Sequence, residues 1–134
     1  MKLSEEERKA VVAYRLARAK ETLTEASVLI ENKMWRVAVN RLYYACFYAT
    51  TALLVNDGYE AHTHSGVKTL LGLHYVRDGR IDKLFSRMYQ QLFNLRQNGD
   101  YEDWFEVYEE DAFSHLKPVQ EFIETIENLI NKNN

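Results

Sequence analysis

Arg96, Asp100 and Tyr101 are the residues whose types and spacing come nearest to a chemical site in this chain. An arginine offers a planar fork of N–H donors that suits phosphate oxygens. A carboxylate nearby can orient it, and a phenol can donate a hydrogen bond. Counting back from Arg96 in helical strides of 4, 3 and 4 reaches Leu92, Tyr89 and Phe85. The guanidinium therefore belongs on or beside a helix face that meets other helices. Gly99 reads as the C′ residue that stops this helix in a left-handed conformation. Asp100 and Tyr101 would follow just past the end, close enough to fold back. A plainer reading stands beside this one: Arg96 pairs with Asp100 and caps the last carbonyls of its helix.

The elements that must position these residues are helical. Ser4 and Glu7 form a capping-box pattern, and Val12, Leu16, Ala19, Leu23, Ala26 and Ile30 then recur at alternating spacings of 4 and 3. That predicts one helix ending near Asn32 and Lys33, with Arg8, Lys9, Arg15, Arg18 and Lys20 on a solvated face. A second helix is expected from about Trp35 to Asn56, stopped by Asp57 and Gly58. It is apolar nearly all round, so it must be covered on most sides, at the centre of a bundle or in a subunit interface. Ala38, Ala45, Ala49 and Ala52 would let neighbours approach closely. Tyr43, Tyr44 and Tyr48 carry hydroxyls that need partners when buried, and one of them is in range of Arg96. Val37, Arg41, Tyr44, Tyr48 and Val55 share a side, which reads as core packing with Arg41 snorkelling.

A loop from Tyr59 to Gly66 leads to a short third helix, capped by Thr63 or Ser65 and reaching about Tyr75, with Val67, Leu70, Leu71 and His74 on its apolar side. Arg77 to Arg80 is a turn. The fourth helix is expected from about Ile81 to Asn98, burying Ile81, Leu84, Phe85, Met88, Leu92 and Leu95. Between Gln97 and Leu116 there are seven acidic residues and no lysine or arginine, which predicts a packed but irregular connection around Trp104, Phe105, Val107 and Tyr108. The last helix uses Ala112, Leu116, Val119, Phe122 or Ile123, Ile126 and Ile130, with a kink or break at Pro118. The expected fold is an all-α, up-and-down bundle of four long helices and a short one, forming a single domain over residues 1–134.

Composition narrows the function. Apolar residues make up 46% and charged residues 28%, ordinary for a soluble globular protein. A formal charge of −3 argues against dominant nonspecific nucleic-acid binding. The lone Cys46 cannot form an internal disulfide and reads as a reduced, buried thiol of a cytoplasmic protein. The acidic N-terminus does not read as a signal peptide, and no clean membrane-spanning segment occurs. Paired Glu-x-x-His, His-Glu-x-x-His, Cys-x-x-Cys and phosphate-binding glycine loops are all missing. His62 and His64 flank Thr63, but two histidines without a third ligand fall short of a metal site. His74 and His115 read as partly buried helix residues. No metal or cofactor is expected.

The run Arg96-Gln97-Asn98-Gly99-Asp100-Tyr101 follows the aromatic helix Arg41-Leu42-Tyr43-Tyr44-Ala45-Cys46-Phe47-Tyr48-Ala49 and the segment His62-Thr63-His64-Ser65-Gly66. Together they resemble the HEPN superfamily, in its small stand-alone prokaryotic branch with an Arg-x-x-x-Asp-Tyr motif, from roughly Arg15 to Leu129. The resemblance implies a helical bundle that dimerises, with two motifs facing a shared cleft. It also implies metal-independent ribonuclease activity in many members, often as toxins encoded beside a nucleotidyltransferase-fold antitoxin. Other members are noncatalytic binding modules. Catalytic members carry a histidine four to six residues after the arginine. Here Tyr101 stands in that place, and the next histidine is His115. A phenol with a reference pKa of about 10 is a poor substitute for an imidazole near 6.5.

The reading that results is an RNA- or nucleotide-binding homodimer of a two-gene, toxin-antitoxin-like system with a nucleotidyltransferase-fold partner, its catalysis weak or absent. Arg96 would bind phosphate, Asp100 would orient it and Tyr101 would take the hydrogen-bonding or proton-transfer role. Arg41, Tyr44, Tyr48 and Asn98 are the candidate substrate contacts. Two alternatives stay open: an endoribonuclease toxin using Arg96 and Tyr101, and an interaction module docking through its dimer face or through Asp100 to Asp111.

Overall fold

The computed structural model describes residues 2–101 and 104–132, Tyr101 by its backbone alone. In order come α1 (Glu5–Glu31), α2 (Trp35–Asn56), α3 (His64–Leu71), α4 (Lys83–Tyr101) and α5 (Glu109–Lys132), and α3 runs on into a π-helical turn over Gly72–Val76. No strand occurs among the described residues. This is the all-α bundle of four long helices and one short helix that the apolar periodicity predicts.

The start of α1 is a reciprocal cap. Glu7 N–H donates to Ser4 Oγ at 3.1 Å, and Ser4 N–H donates to Glu7 Oε1 at 2.8 Å. The buried stripe of α1 lies on α2, which also meets α3, α4 and α5 and is the centre of the bundle. Ala38, Ala45, Ala49 and Ala52 are fully buried, as close helix approach requires. One side of α2 departs from the expectation. Val37 is 45% exposed, and Arg41, Tyr44, Tyr48 and Val55 are half-buried. That side is a rim of the bundle, where phenols and a guanidinium keep access to water.

The third helix begins at His64, one turn earlier than the loop reading placed it. Thr63 is its cap and accepts the Gly66 N–H at 2.9 Å. A Cβ on Gly66 would lie 2.9 Å from Thr63 Oγ1, so this capped first turn needs glycine there. The connection before it is anchored at its far end. Tyr75 donates to the Asp57 carboxylate, and Tyr59 stacks on His74 at 4.1 Å.

Three expectations for the last third of the chain are corrected. Gly99 does not stop α4, which continues through Tyr101, and its φ is not positive. The guanidinium of Arg36 on α2 donates to the carbonyls of Gly99 and Phe105, tying down the end of α4. Gly99 serves this close approach, since a Cβ there would sit 3.3 Å from Arg36 Nη1. Leu84 is 62% exposed, in the first turn of α4, where it lines an open groove between α4 and α5. The acidic connection is packed only in part, with Val107 buried but Trp104 80% exposed. Finally, Pro118 lies inside α5, which continues through it, so of the expected kink or break no break occurs. The carbonyl it orphans belongs to exposed Ser114, where water can satisfy it.

No described helix is long and apolar enough to cross a membrane. Restoring the missing amide of α5 should help the fold. Pro118→Ala is expected to raise stability by about 1–3 kcal/mol, read from the chemical denaturation midpoint. An unchanged or lowered midpoint would mean that the surrounding packing depends on the pyrrolidine ring.

Candidate functional site

The stripe that carries Arg96 points as its spacing requires. Tyr89 and Leu92 are fully buried, Phe85 packs against the core, and Arg96 emerges one turn further on with only 12% of its side chain exposed. Its guanidinium carbon lies 5.1 Å from the ring centroid of Tyr43 and 5.5 Å from that of Tyr44. These contacts attract the cation to the negative ring faces and replace part of its lost hydration. Burial works against the charge, but Tyr44, Asp100 and Tyr43 more than offset it and hold Arg96 above its ordinary pKa.

Asp100 lies inside α4, one turn after Arg96, and its Oδ2 is 3.4 Å from Arg96 Nε. A tight charge-assisted bond would be nearer 2.7–2.9 Å, so the carboxylate steadies the guanidinium without saturating it. The plain pairing and the oriented phosphate site are therefore the same geometry. The Tyr101 side chain lies outside the described residues. Asn98 is half-buried two positions beyond Arg96, about 200° around the helix, and does not share its face.

Two further arginines join the row. Arg41 stands 5.2 Å from the Tyr44 centroid, and Arg18 on α1 stands 5.3 Å from the Tyr48 centroid. Tyr44 and Tyr48 on the rim of α2, together with the fully buried Tyr43, thus carry three guanidiniums. Their carboxylate partners are all loose. Glu25 lies 3.6 Å from Arg41, and Glu21 lies 3.7 Å from Arg18. Arg18 reads from sequence as part of a solvated face. The usable signal was its place beside the buried positions Ala19 and Thr22, facing α2.

The sequence reading also missed His64. As the first residue of α3 it turns inward, with Nδ1 2.7 Å from the Tyr43 hydroxyl. Its ring stacks on Phe47 at 4.5 Å and meets Tyr44 edge-on at 5.8 Å. Burial, and then the charge of Arg96, lower its pKa below the usual histidine value. Burial pushes the Tyr43 phenol up to about 12, against the pull of Arg96. The signal for His64 was the Thr63 cap, which puts the next residue in a helix. Among the described residues no group of three or more histidine, cysteine, aspartate or glutamate side chains is placed to hold a metal ion.

The family model for the HEPN domain matches residues 12–129. The chain belongs to the HEPN family. Its relatives include a "UPF0332 protein" of Thermotoga maritima, 35% identical over 92% of this chain and 94% of the relative. "Putative toxin MJ0605" of Methanocaldococcus jannaschii is 36% identical over 81% of this chain and 80% of its own. "Putative toxin MJ0142" of the same organism is 28% identical over 88% of this chain and 81% of its own. In this HEPN protein the motif arginine therefore sits at a tyrosine-lined rim with an imidazole from a different helix beside it.

The imidazole can be observed directly. In an NMR titration the His64 ring is expected to titrate below about 6.5, the ordinary histidine value, and Arg96→Ala should raise its midpoint part of the way back. A midpoint indifferent to Arg96 would show that the two groups do not share a site.

Proposed function

We propose that this HEPN protein binds RNA through its phosphates at the Arg96 rim, as a toxin-like component of a two-gene system. The observation that carries the reading is the row of three guanidiniums on three tyrosines, in a chain whose formal charge is −3. An acidic protein that gathers its arginines on aromatic faces forms a local anion site in spite of its overall charge. Arginine edges fit phosphate oxygens, and the half-buried phenols of Tyr44 and Tyr48 suit contact with unpaired bases. The long carboxylate pairs favour exchange, because a phosphate can displace Glu21, Glu25 or Asp100 without breaking a tight bond. Arg96 is the central phosphate contact and Asp100 its orienting group. Arg41, Tyr44 and Tyr48 extend the contact along the strand, and Tyr101 follows as a hydrogen-bonding phenol.

The two-component part of the proposal draws on the toxin names of the relatives and on exposed apolar surface. Trp104, Tyr108, Phe113 and Leu84 are 80%, 65%, 64% and 62% exposed. Such residues suit a second copy of the chain or a nucleotidyltransferase-fold partner.

Fluorescence anisotropy with a labelled single-stranded oligoribonucleotide tests the binding. Arg96→Ala is expected to weaken affinity about tenfold or more, as loss of a charged hydrogen-bonding group does. Arg18→Ala and Arg41→Ala should each weaken it less and reduce the salt dependence by roughly one phosphate contact. Equal affinity across all four proteins would dispose of the phosphate site.

A further inference from the structure

We propose that a single RNA strand held at Arg96 runs on past Tyr48 into a second subsite. That subsite is a trough between α1 and the connection from α2 to α3, where Arg15 and Arg8 take further phosphates. The extension rests on the reading of Arg96 as a phosphate contact, and it gives the strand a path and a length.

Three adjoining cavities make up the trough. The first, of about 240 Å³, begins at Phe47 and Tyr48 and is lined by Arg15, Thr51, His62 and Val67. The second, of about 220 Å³, shares those last four residues with it and reaches Leu54, Val55 and Leu3. The third, of about 150 Å³, shares Leu3 and Val55 with the second and ends at Arg8 and Lys2. Leu54 and Val67 are buried, so the floor is apolar.

The charge of the trough runs against that of the whole chain. Between Glu7 and Glu21, α1 carries Arg8, Lys9, Arg15, Arg18 and Lys20 and no acidic residue. Arg8 and Arg15 are two helical turns apart, which puts them on one face at a separation of about 10 Å. Glu60 is the one carboxylate that lines any of the three cavities. Both arginines are half-buried, and neither forms an ion pair among the described residues. Their counter-charge comes from solution, and a phosphate that replaces those ions releases them.

Continuity with the Arg96 rim points to a strand. The Tyr44 ring lies 5.5 Å from the Arg96 guanidinium carbon and 5.9 Å from the Tyr48 ring. Tyr48 in turn carries Arg18 at 5.3 Å and lines the first cavity. Cations and apolar surface thus continue without a break from Arg96 to Arg8. The path follows α2 from Tyr44 to Val55, about 16 Å of helix. Guanidiniums for phosphates beside apolar and aromatic surface for unpaired bases are what a single strand needs. An isolated phosphate would use the guanidiniums and leave the floor of Leu54 and Val67 uncovered.

Fluorescence anisotropy with two labelled oligouridylates, a trimer and a nonamer, tests the path. The proteins are wild type, Arg8→Ala, Arg15→Ala, Lys9→Ala and Arg96→Ala. Lys9 is exposed on α1 and lines none of the three cavities, so its loss removes the same charge away from the path. Wild type should bind the nonamer about tenfold more tightly than the trimer or better, because the longer strand reaches more phosphate contacts. Arg15→Ala is expected to weaken nonamer binding about tenfold and Arg8→Ala about threefold, each with a salt slope lower by roughly one phosphate. Trimer binding by these two variants, and nonamer binding by Lys9→Ala, should stay within about twofold of wild type, since exposed charges off the path are screened. Arg96→Ala should weaken both oligonucleotides.

Three results overturn the trough and leave the Arg96 site standing. They are equal wild-type affinity for trimer and nonamer, nonamer binding that Arg8→Ala and Arg15→Ala leave unchanged, and a loss in Lys9→Ala as large as theirs. Absence of Arg96-dependent binding overturns both.

Discussion

A helix with almost no polar face has to be surrounded, and that constraint organises this molecule. Along α2 the alanines at 38, 45, 49 and 52 are fully buried. They let the backbones of neighbouring helices come close enough for dispersion contacts to accumulate and for water to be excluded. α1, α3, α4 and α5 all lie on α2. The site is a consequence of where that covering stops. At the rim of α2 the side chains change from alanine and leucine to tyrosine, and the half-buried Tyr44 and Tyr48 pack beside the fully buried Tyr43. Arginines from three helices settle on these ring faces.

The electrostatics of the rim follow from the same geometry. An arginine side chain that is 12% exposed has lost part of its hydration, and a single carboxylate at 3.4 Å does not replace it. The ring quadrupoles of Tyr43 and Tyr44 supply the remainder without neutralising the charge. The result is a cation fixed in place but still available to an anion. The same field reaches His64, whose protonation it opposes. Arg96 and His64 are thus electrostatically coupled through a tyrosine cluster although they are far apart in the chain.

Much of the architecture was legible because helix signals are local. The Ser4 and Glu7 cap, the bounds of α2 at Trp35 and Asn56 and the alanine faces all appear as read. So does the inward course of Phe85, Tyr89, Leu92 and Arg96. Where the reading failed, a distant partner overrode a local preference. Gly99 has the residue type of a helix stop, yet Arg36, 63 positions earlier, holds its carbonyl in a helix that continues. Leu84 has the type of a core residue, but it faces the open groove between α4 and α5 and is 62% exposed.

By itself the sequence determined the helical class, the approximate helix bounds, the membership suggested by the Arg96 to Tyr101 motif and the side of α4 on which Arg96 stands. Each of these depends on periodicity or on caps a few residues long. Only the tertiary structure decided that His64 shares the tyrosines with Arg96, that Arg18 joins the row from α1 and that Asp100 pairs from within a helix. Those relations depend on how helices cross, and crossing is settled by the packing of all of them on α2 at once. No spacing along the chain encodes that outcome.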